Sequence, residues 1–229
     1  SHAKAVKAWK EGRLSDETMT LYPQPKLEAL EQDIGPRDGQ SMEALGRMKP
    51  YFDRKWGTVT VGNSCGVTDG AAALLLMEAD YADSLGLQPI GRIRSAEFAG
   101  CDPSRMGLGP VYSSAKALKS AGMTMEDVDL VELNEAFAAQ VLACLKGFES
   151  PPEDCVDSDA ASRLRPIDED QLNVNGGAIA IGHPVGATGA RLILTLLGEL
   201  GRRDQNVGLA TLCIGGGQGG AAIVERTAA

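Results

Sequence analysis

The sequence predicts an α/β fold in which strands and helices alternate around a sheet, and three observations carry that prediction. Beyond residue 57, short β-branched or apolar runs alternate with longer stretches of helical periodicity. Glycines and prolines punctuate the changes. At 229 residues and 43% hydrophobic composition, the chain is long enough to build a proper core.

The elements follow in order. Residues 1–60 are polar and dotted with Pro23, Pro25, Pro36 and Pro50, with one helical stretch through Ala5, Val6 and Trp9, so they read as a lid and not as core. The β-branched alternation at 57–62 predicts a strand, followed by a turn and a helix over 71–78. A strand at 91–96, a helix at 113–121, a strand at 129–133 and a helix starting near Glu135 come next. Residues 149–170 are acidic and bounded by Pro151 and Pro152, which predicts a solvated surface loop. An apolar segment then enters a turn at His183. A helix over 187–203 follows, with a buried stripe of Leu192, Ile193, Leu196, Leu197 and Leu200. Strands at 207–214 and 221–225 close the chain, joined by a hairpin at 215–220.

Charge and cysteine usage exclude several function classes. A net charge of −9 and a pI near 4.8 argue against nucleic acid or an anionic membrane surface as the main partner, since both require net basic surface. No apolar run approaches the roughly 20 residues of a spanning helix, and no charged-then-apolar signal opens the sequence. A soluble cytoplasmic protein is expected, or a mitochondrial or peroxisomal one in a eukaryote. Cys65, Cys101, Cys144, Cys155 and Cys213 form no C-x-x-C pair, which fits free thiols in a reducing compartment. With only two histidines, His2 and His183, no metal site is expected.

Two glycine-rich turns stand out, GGAIAIGHP at 176–184 and LCIGGGQGG at 212–220. Each places one reactive side chain, His183 or Cys213, where a ligand or a second backbone can approach closely. The run 215–220 formally satisfies G-x-G-x-x-G, but a strand follows it where a dinucleotide-binding turn must open a helix. On residue physics alone Cys213 stays open between a catalytic thiol and a core residue. Asn134, in NEAFA at 134–138, falls between a strand and a helix; helix cap and ligand contact both fit there.

Taken together, NEAFA, GGAIAIGHP and CIGGGQG resemble the three C-terminal motifs of thiolases in kind, order and spacing. GTVTVGNSCGVTDGAAA at 57–73 is similar to another segment of that family, and SHAKA at 1–5 resembles the start of a helix in its loop domain. The resemblance covers essentially the whole chain. It implies the layered αβαβα thiolase architecture: residues 1–60 as part of the loop domain, 61–90 as a strand and helix belonging to the N-terminal half, and 91–229 as the C-terminal domain.

It also implies reversible thiolytic cleavage or Claisen condensation of 3-oxoacyl-CoA, with no bound cofactor and with acyl-CoA as substrate. His183 would activate a nucleophilic cysteine and bind the thioester oxygen. Cys213 would exchange the substrate proton, Asn134 would hold a water in one oxyanion hole, and the Gly215 N–H would serve a second. Cys65 matches a pantetheine-binding turn in which serine is usual. Ala136, Phe137, Phe52 and Arg37 match positions of CoA contacts; by charge alone, Arg37, Arg47, Lys49, Arg54 and Lys55 fit a patch for phosphates and ordinary surface charge equally. None of the five cysteines sits in the family's nucleophile motif, so an N-terminal thiolase half must supply that residue as a partner, and an oligomer is expected. The segment WKEGRL at 9–14, residues 47–55 and the acidic insertion lean towards a fatty-acid-oxidation type. A short-chain acetoacetyl-CoA thiolase and a non-catalytic scaffold are the alternatives. Cys213 argues against a ketoacyl synthase, which uses a second histidine at that place.

Overall fold

A computed structural model describes residues 1–155 and 157–227. Its centre is a four-stranded sheet of β1 (Gly91–Gly100), β2 (Leu130–Leu133), β3 (Val207–Ile214) and β4 (Gln218–Arg226), in the order β1-β4-β3-β2. β2 runs parallel to β3, and the other neighbours are antiparallel. The glycine run forms the expected hairpin turn between β3 and β4, with Gly216 and Gly217 at φ of 88° and 89°.

Helices cover both faces. On one face α4 (Gly109–Ala121) and α5 (Ala138–Glu149) pack Val111, Leu118, Cys144 and Phe148 against Val131, Leu133, Leu209 and Ile223. On the other, α8 (Thr188–Arg203) lays Leu192, Leu196, Leu197 and Leu200 on Leu130, Ala210 and Val224. The strands are therefore apolar on both sides, as a sheet covered on both faces requires. At the N-terminus of α4, a Cβ on Gly219 would lie 2.0 Å from the Gly109 carbonyl oxygen, so this crossing of helix and strand tolerates only glycine.

The first ninety residues are different. α1 (His2–Lys10) buries Ala5 and Ala8 against the short α7 (Ala178–Ile181), while α2 (Met42–Gly46) and α3 (Ala79–Ser84) have little or nothing buried. The strand expected at 57–62 is absent, and 71–78 has no regular structure where a helix was expected. Neither segment joins the sheet, and Val67, Leu75 and Leu76 are exposed. Local propensity has no tertiary partner here to fix it.

The acidic segment is more than a solvated loop. It contains α6 (Ser158–Ala161), capped by the Asp157 carboxylate on the Ala160 N–H at 2.9 Å, and it sends Cys155, Ala160 and Leu164 into the core. Asp154 accepts from the Tyr112 hydroxyl and from Arg105, both at 2.9 Å. The expectation of a solvated face holds for its carboxylates and fails for its apolar residues. Helix α5 begins three residues later than expected, at Ala138, because the chain bends at Ala136 and its N-cap Phe137 is still extended.

Candidate active site

Asn134 follows directly from β2, where its backbone N–H donates to the Thr211 carbonyl at 2.9 Å. That bond places it beside the end of β3, two residues before Cys213. These are the C-terminal ends of parallel strands, where open α/β sheets bind ligands. Asn134 is buried, and its Nδ2 lies 3.4 Å from His183 Nε2. Its Oδ1 is buried without a protein partner. A buried carbonyl oxygen in that state calls for a water or a ligand donor.

The His183 ring is oriented from its other side. Nδ1 lies 2.7 Å from Thr188 Oγ1, and that hydroxyl donates to the Pro184 carbonyl at 3.0 Å. A hydroxyl has one proton to give. With it committed to Pro184, Thr188 accepts from Nδ1–H, and the lone pair stays on Nε2, facing Asn134. This network assigns the tautomer that a base acting through Nε2 requires. Burial holds the imidazole below its usual pKa, and the positive charge of Arg191 lowers it further, so the ring is neutral at pH 7.

The turn carrying His183 is held by groups from distant parts of the chain. Glu135, buried, accepts from Asn173 Nδ2 at 3.0 Å through Oε1 and from the Ile179 N–H at 3.1 Å through Oε2. Asn173 in turn bonds both backbone groups of Leu133 at 2.8 Å, which continues the sheet edge with a side chain. Ser1 Oγ accepts from the N–H groups of Gly177 and Ala180 at 3.0 and 3.3 Å. Gly182, at φ of 107°, packs against Thr68, whose hydroxyl accepts the His183 N–H at 2.9 Å. A side chain at 182 would meet both the strained φ and the threonine.

Cys213 is buried near the end of β3, and burial pushes its thiol above the usual value, with smaller contributions from Cys65 and Cys101. Cys65 comes to the same end of the sheet through its N–H, which donates to the Ala136 carbonyl at 3.0 Å, and Ser64 bridges to Phe137. Burial raises every cysteine in the chain, Cys144 to about 12 and Cys155 to about 11. None is a ready thiolate, which needs a nearby cation or helix N-terminus.

The CoA-contact candidates divide. Phe52 packs edge-on against Phe137 at 6.2 Å between centroids, and Ala136 is buried under the turn at 63–65. Gly215 faces open space, with no atom within 4 Å of where a Cβ would stand. Arg37 is not brought to this cluster by any described contact. It lines a cavity of about 380 Å³ with Lys7, Lys10 and Asp38 along α1. Within the basic patch, Arg47 is paired with Glu43 and Lys55 lies over Trp56. A second cavity, of about 430 Å³, opens beside the His183 turn between residues 68–72 and 184–187. Among the described residues no cluster of metal-ligating side chains occurs, and no helix is long and apolar enough to cross a membrane.

Sequence reasoning missed Thr188, Glu135, Asn173, Thr68 and Ser1, all of which orient the site without touching a reacting atom in the proposed scheme. One signal was available for a further pair, Glu132 and Arg191, which bond at 3.0 Å. Glu132 interrupts the apolar strand LVEL, and a carboxylate in a doubly covered strand must have a partner.

Fold and site together define a layered α/β protein with a histidine and an asparagine in contact at the end of one strand and a cysteine near the end of the parallel neighbour. The chain belongs to the thiolase family: the thiolase N-terminal domain matches residues 1–80 and the thiolase C-terminal domain residues 87–226. It is 46% identical over 228 residues to a 3-ketoacyl-CoA thiolase of Colwellia psychrerythraea, which covers 98% of this chain and 52% of the relative. It is 47% identical to an acetyl-CoA acetyltransferase of Chromobacterium violaceum, over 99% of this chain and 54% of that protein. The crystal structure of the Bacillus anthracis acetyl-CoA acetyltransferase superposes with a TM-score of 0.88 at 40% identity, covering 99% of this chain and 54% of that one. Human mitochondrial 3-ketoacyl-CoA thiolase in complex with CoA gives 0.84 at 36%, with 99% and 52% covered. The chain thus spans about half the length of the relatives it matches.

Proposed function

We propose that this chain contributes the acid–base half of a thiolase active site, acting in reversible thiolytic cleavage and Claisen condensation of 3-oxoacyl-CoA, of the fatty-acid-oxidation type. A cysteine outside these residues is the nucleophile. The observation that carries the proposal is the Thr188–His183–Asn134 chain, which presents a neutral imidazole with its lone pair on Nε2 at the C-terminal end of β2.

In cleavage, His183 Nε2 takes the proton of the nucleophilic thiol. The thiolate adds to the 3-oxo carbon, and the carbon–carbon bond breaks to leave an acyl-cysteine and the enolate of acetyl-CoA. Cys213, held neutral by burial, donates its proton to the enolate carbon. The CoA thiol then returns a proton to Cys213 and attacks the acyl-cysteine; the acyl carbon–cysteine sulfur bond breaks, acyl-CoA leaves, and His183 gives its proton back to the freed cysteine thiolate. Condensation reverses each step. Asn134, with Oδ1 free to accept, holds the water that donates to an oxyanion, and the Gly215 N–H serves the other; such donors are worth roughly 3 kcal/mol each. Phe137, Phe52, Ala136 and Cys65 line the pantetheine arm, and Arg37 serves the phosphates from the side of α1.

The exposed residues Val67, Leu75 and Leu76, on a segment with no regular structure, favour a partner surface there. We assign that surface to the rest of the N-terminal thiolase half, which completes the site in an oligomer.

The test uses the complete protein and separates the half-reactions. Cys213→Ser should still form the acyl-enzyme from a thioester substrate while condensation turnover falls at least ~100-fold. Equal loss of both half-reactions in a folded variant contradicts the division of labour. A protein that binds no CoA and forms no acyl-enzyme supports the scaffold reading instead.

A further inference from the structure

Behind the site lies a charge pair that the proposed scheme does not use. Glu132 and Arg191 join β2 to α8 through Arg191 Nη1 and Glu132 Oε2 at 3.0 Å, with Glu132 buried and the arginine side chain 20% exposed. Glu132 lies two residues before Asn134, which follows directly from the end of β2 and bonds the Thr211 carbonyl. Arg191 lies three residues after Thr188 on α8, one turn from the residue that orients His183 Nδ1. The pair therefore ties the strand bearing one half of the His183–Asn134 contact to the helix that orients the other. Arg191 Nη2 is buried without a partner, so its charge is only partly matched.

We propose that Glu132 and Arg191 are positioning residues for His183, holding β2 and α8 in register and setting the electrostatic field in which the imidazole acts as a base. The inference rests on the reading of His183 as that base. Other charged groups face the pair. Glu135 bears on Glu132 from beyond β2, and Glu17 bears on it from the turn Ser15–Glu17, where it accepts from Thr195 Oγ1 at 2.9 Å. Asp33 and Glu17 both feel Arg191. The one cation facing His183 among its described perturbing groups is Arg191. Burial raises Glu132 to about 7, against the pull of Arg191, so the countercharge on Arg191 grows across neutral pH.

The experiment is a pH titration of the His183 ring nitrogens by NMR in histidine-labelled complete protein, with the signal assigned by its loss in His183→Gln. Wild type should show the ring's own step and a second, smaller displacement near pH 7. Arg191→Met should move the ring's midpoint to higher pH, and Arg191→Lys, which keeps the charge, should return it towards wild type. Glu132→Gln should abolish the displacement near pH 7. A purely structural pair would make Arg191→Lys behave like Arg191→Met. An unmoved or lowered midpoint in Arg191→Met overturns the proposal, as does a displacement near pH 7 that persists in Glu132→Gln. If Arg191→Met does not fold, Glu132→Met/Arg191→Met removes both charges together, and a midpoint at or below wild type in that variant is equally fatal. Because the readout is a titration, a thiolase whose His183 ignores Arg191 refutes the pair alone. A responsive His183 in a protein that forms no acyl-enzyme refutes the reaction.

Discussion

His183 gains its chemistry from one proton assignment. Thr188 can satisfy both Pro184 and the imidazole only by accepting from Nδ1, and this leaves Nε2 basic. Thr188→Val removes that acceptor and frees the other tautomer. Turnover should fall about 10–100-fold with substrate KM nearly unchanged, as measured by steady-state kinetics. The same neutral ring sets the pH dependence. Burial and Arg191 lower its pKa beneath 6.5, so the protonated form, inactive in the proposed scheme, accumulates only below that value. The acid limb of kcat/KM should accordingly fall below pH 6.5, and a limb centred above 7 would contradict the assignment. His183 and Cys213 were legible in the sequence because each sits in its own glycine-rich turn. Thr188, Glu135 and Asn173 were not, because hydrogen bonds between distant segments give them their roles and leave no local pattern.

Elements carry the next scale, and two of them are joined by single side chains. Asn173 substitutes for a strand by bonding the N–H and C=O of Leu133. Asn173→Ala leaves two buried backbone groups and one Glu135 oxygen unpaired at a position with φ of 44°, and should cost about 2–4 kcal/mol in urea unfolding. Between β2 and α8, Glu132 is raised from 4.5 to about 7 by burial. A folded-state pKa above the unfolded one means that the native state binds more protons across that interval, so stability is greatest at its lower edge and declines as pH rises through about 7. Glu132→Gln should flatten the decline in Tm between pH 5 and 7.5. An unchanged slope would contradict a buried, proton-retaining carboxyl. Helix α8 and strand β3 were readable from the leucine stripe and the apolar run because their partners lie within these residues. Residues 57–62 and 71–78 misled the reading because β-branched alternation and alanine-leucine periodicity fix an element only when something packs on it.

At the scale of the whole molecule, one covered sheet with helices on both faces is joined to an exposed, loosely structured first third. The sheet and α8 position the residues proposed for acid–base work, and the first third adds Thr68, Ser1 and the turn at 63–65 around them. Burial raises all five cysteines, which supports the proposed assignment of the attacking sulfur to a cysteine elsewhere in the complete protein. The most direct measurement is peptide mapping by mass spectrometry after brief exposure of the complete protein to acetoacetyl-CoA and an acid quench. The acyl group should sit on a cysteine outside these 229 residues, and it should be lost in His183→Asn. An acyl group on Cys213 or Cys65, or one retained in His183→Asn, would contradict the account.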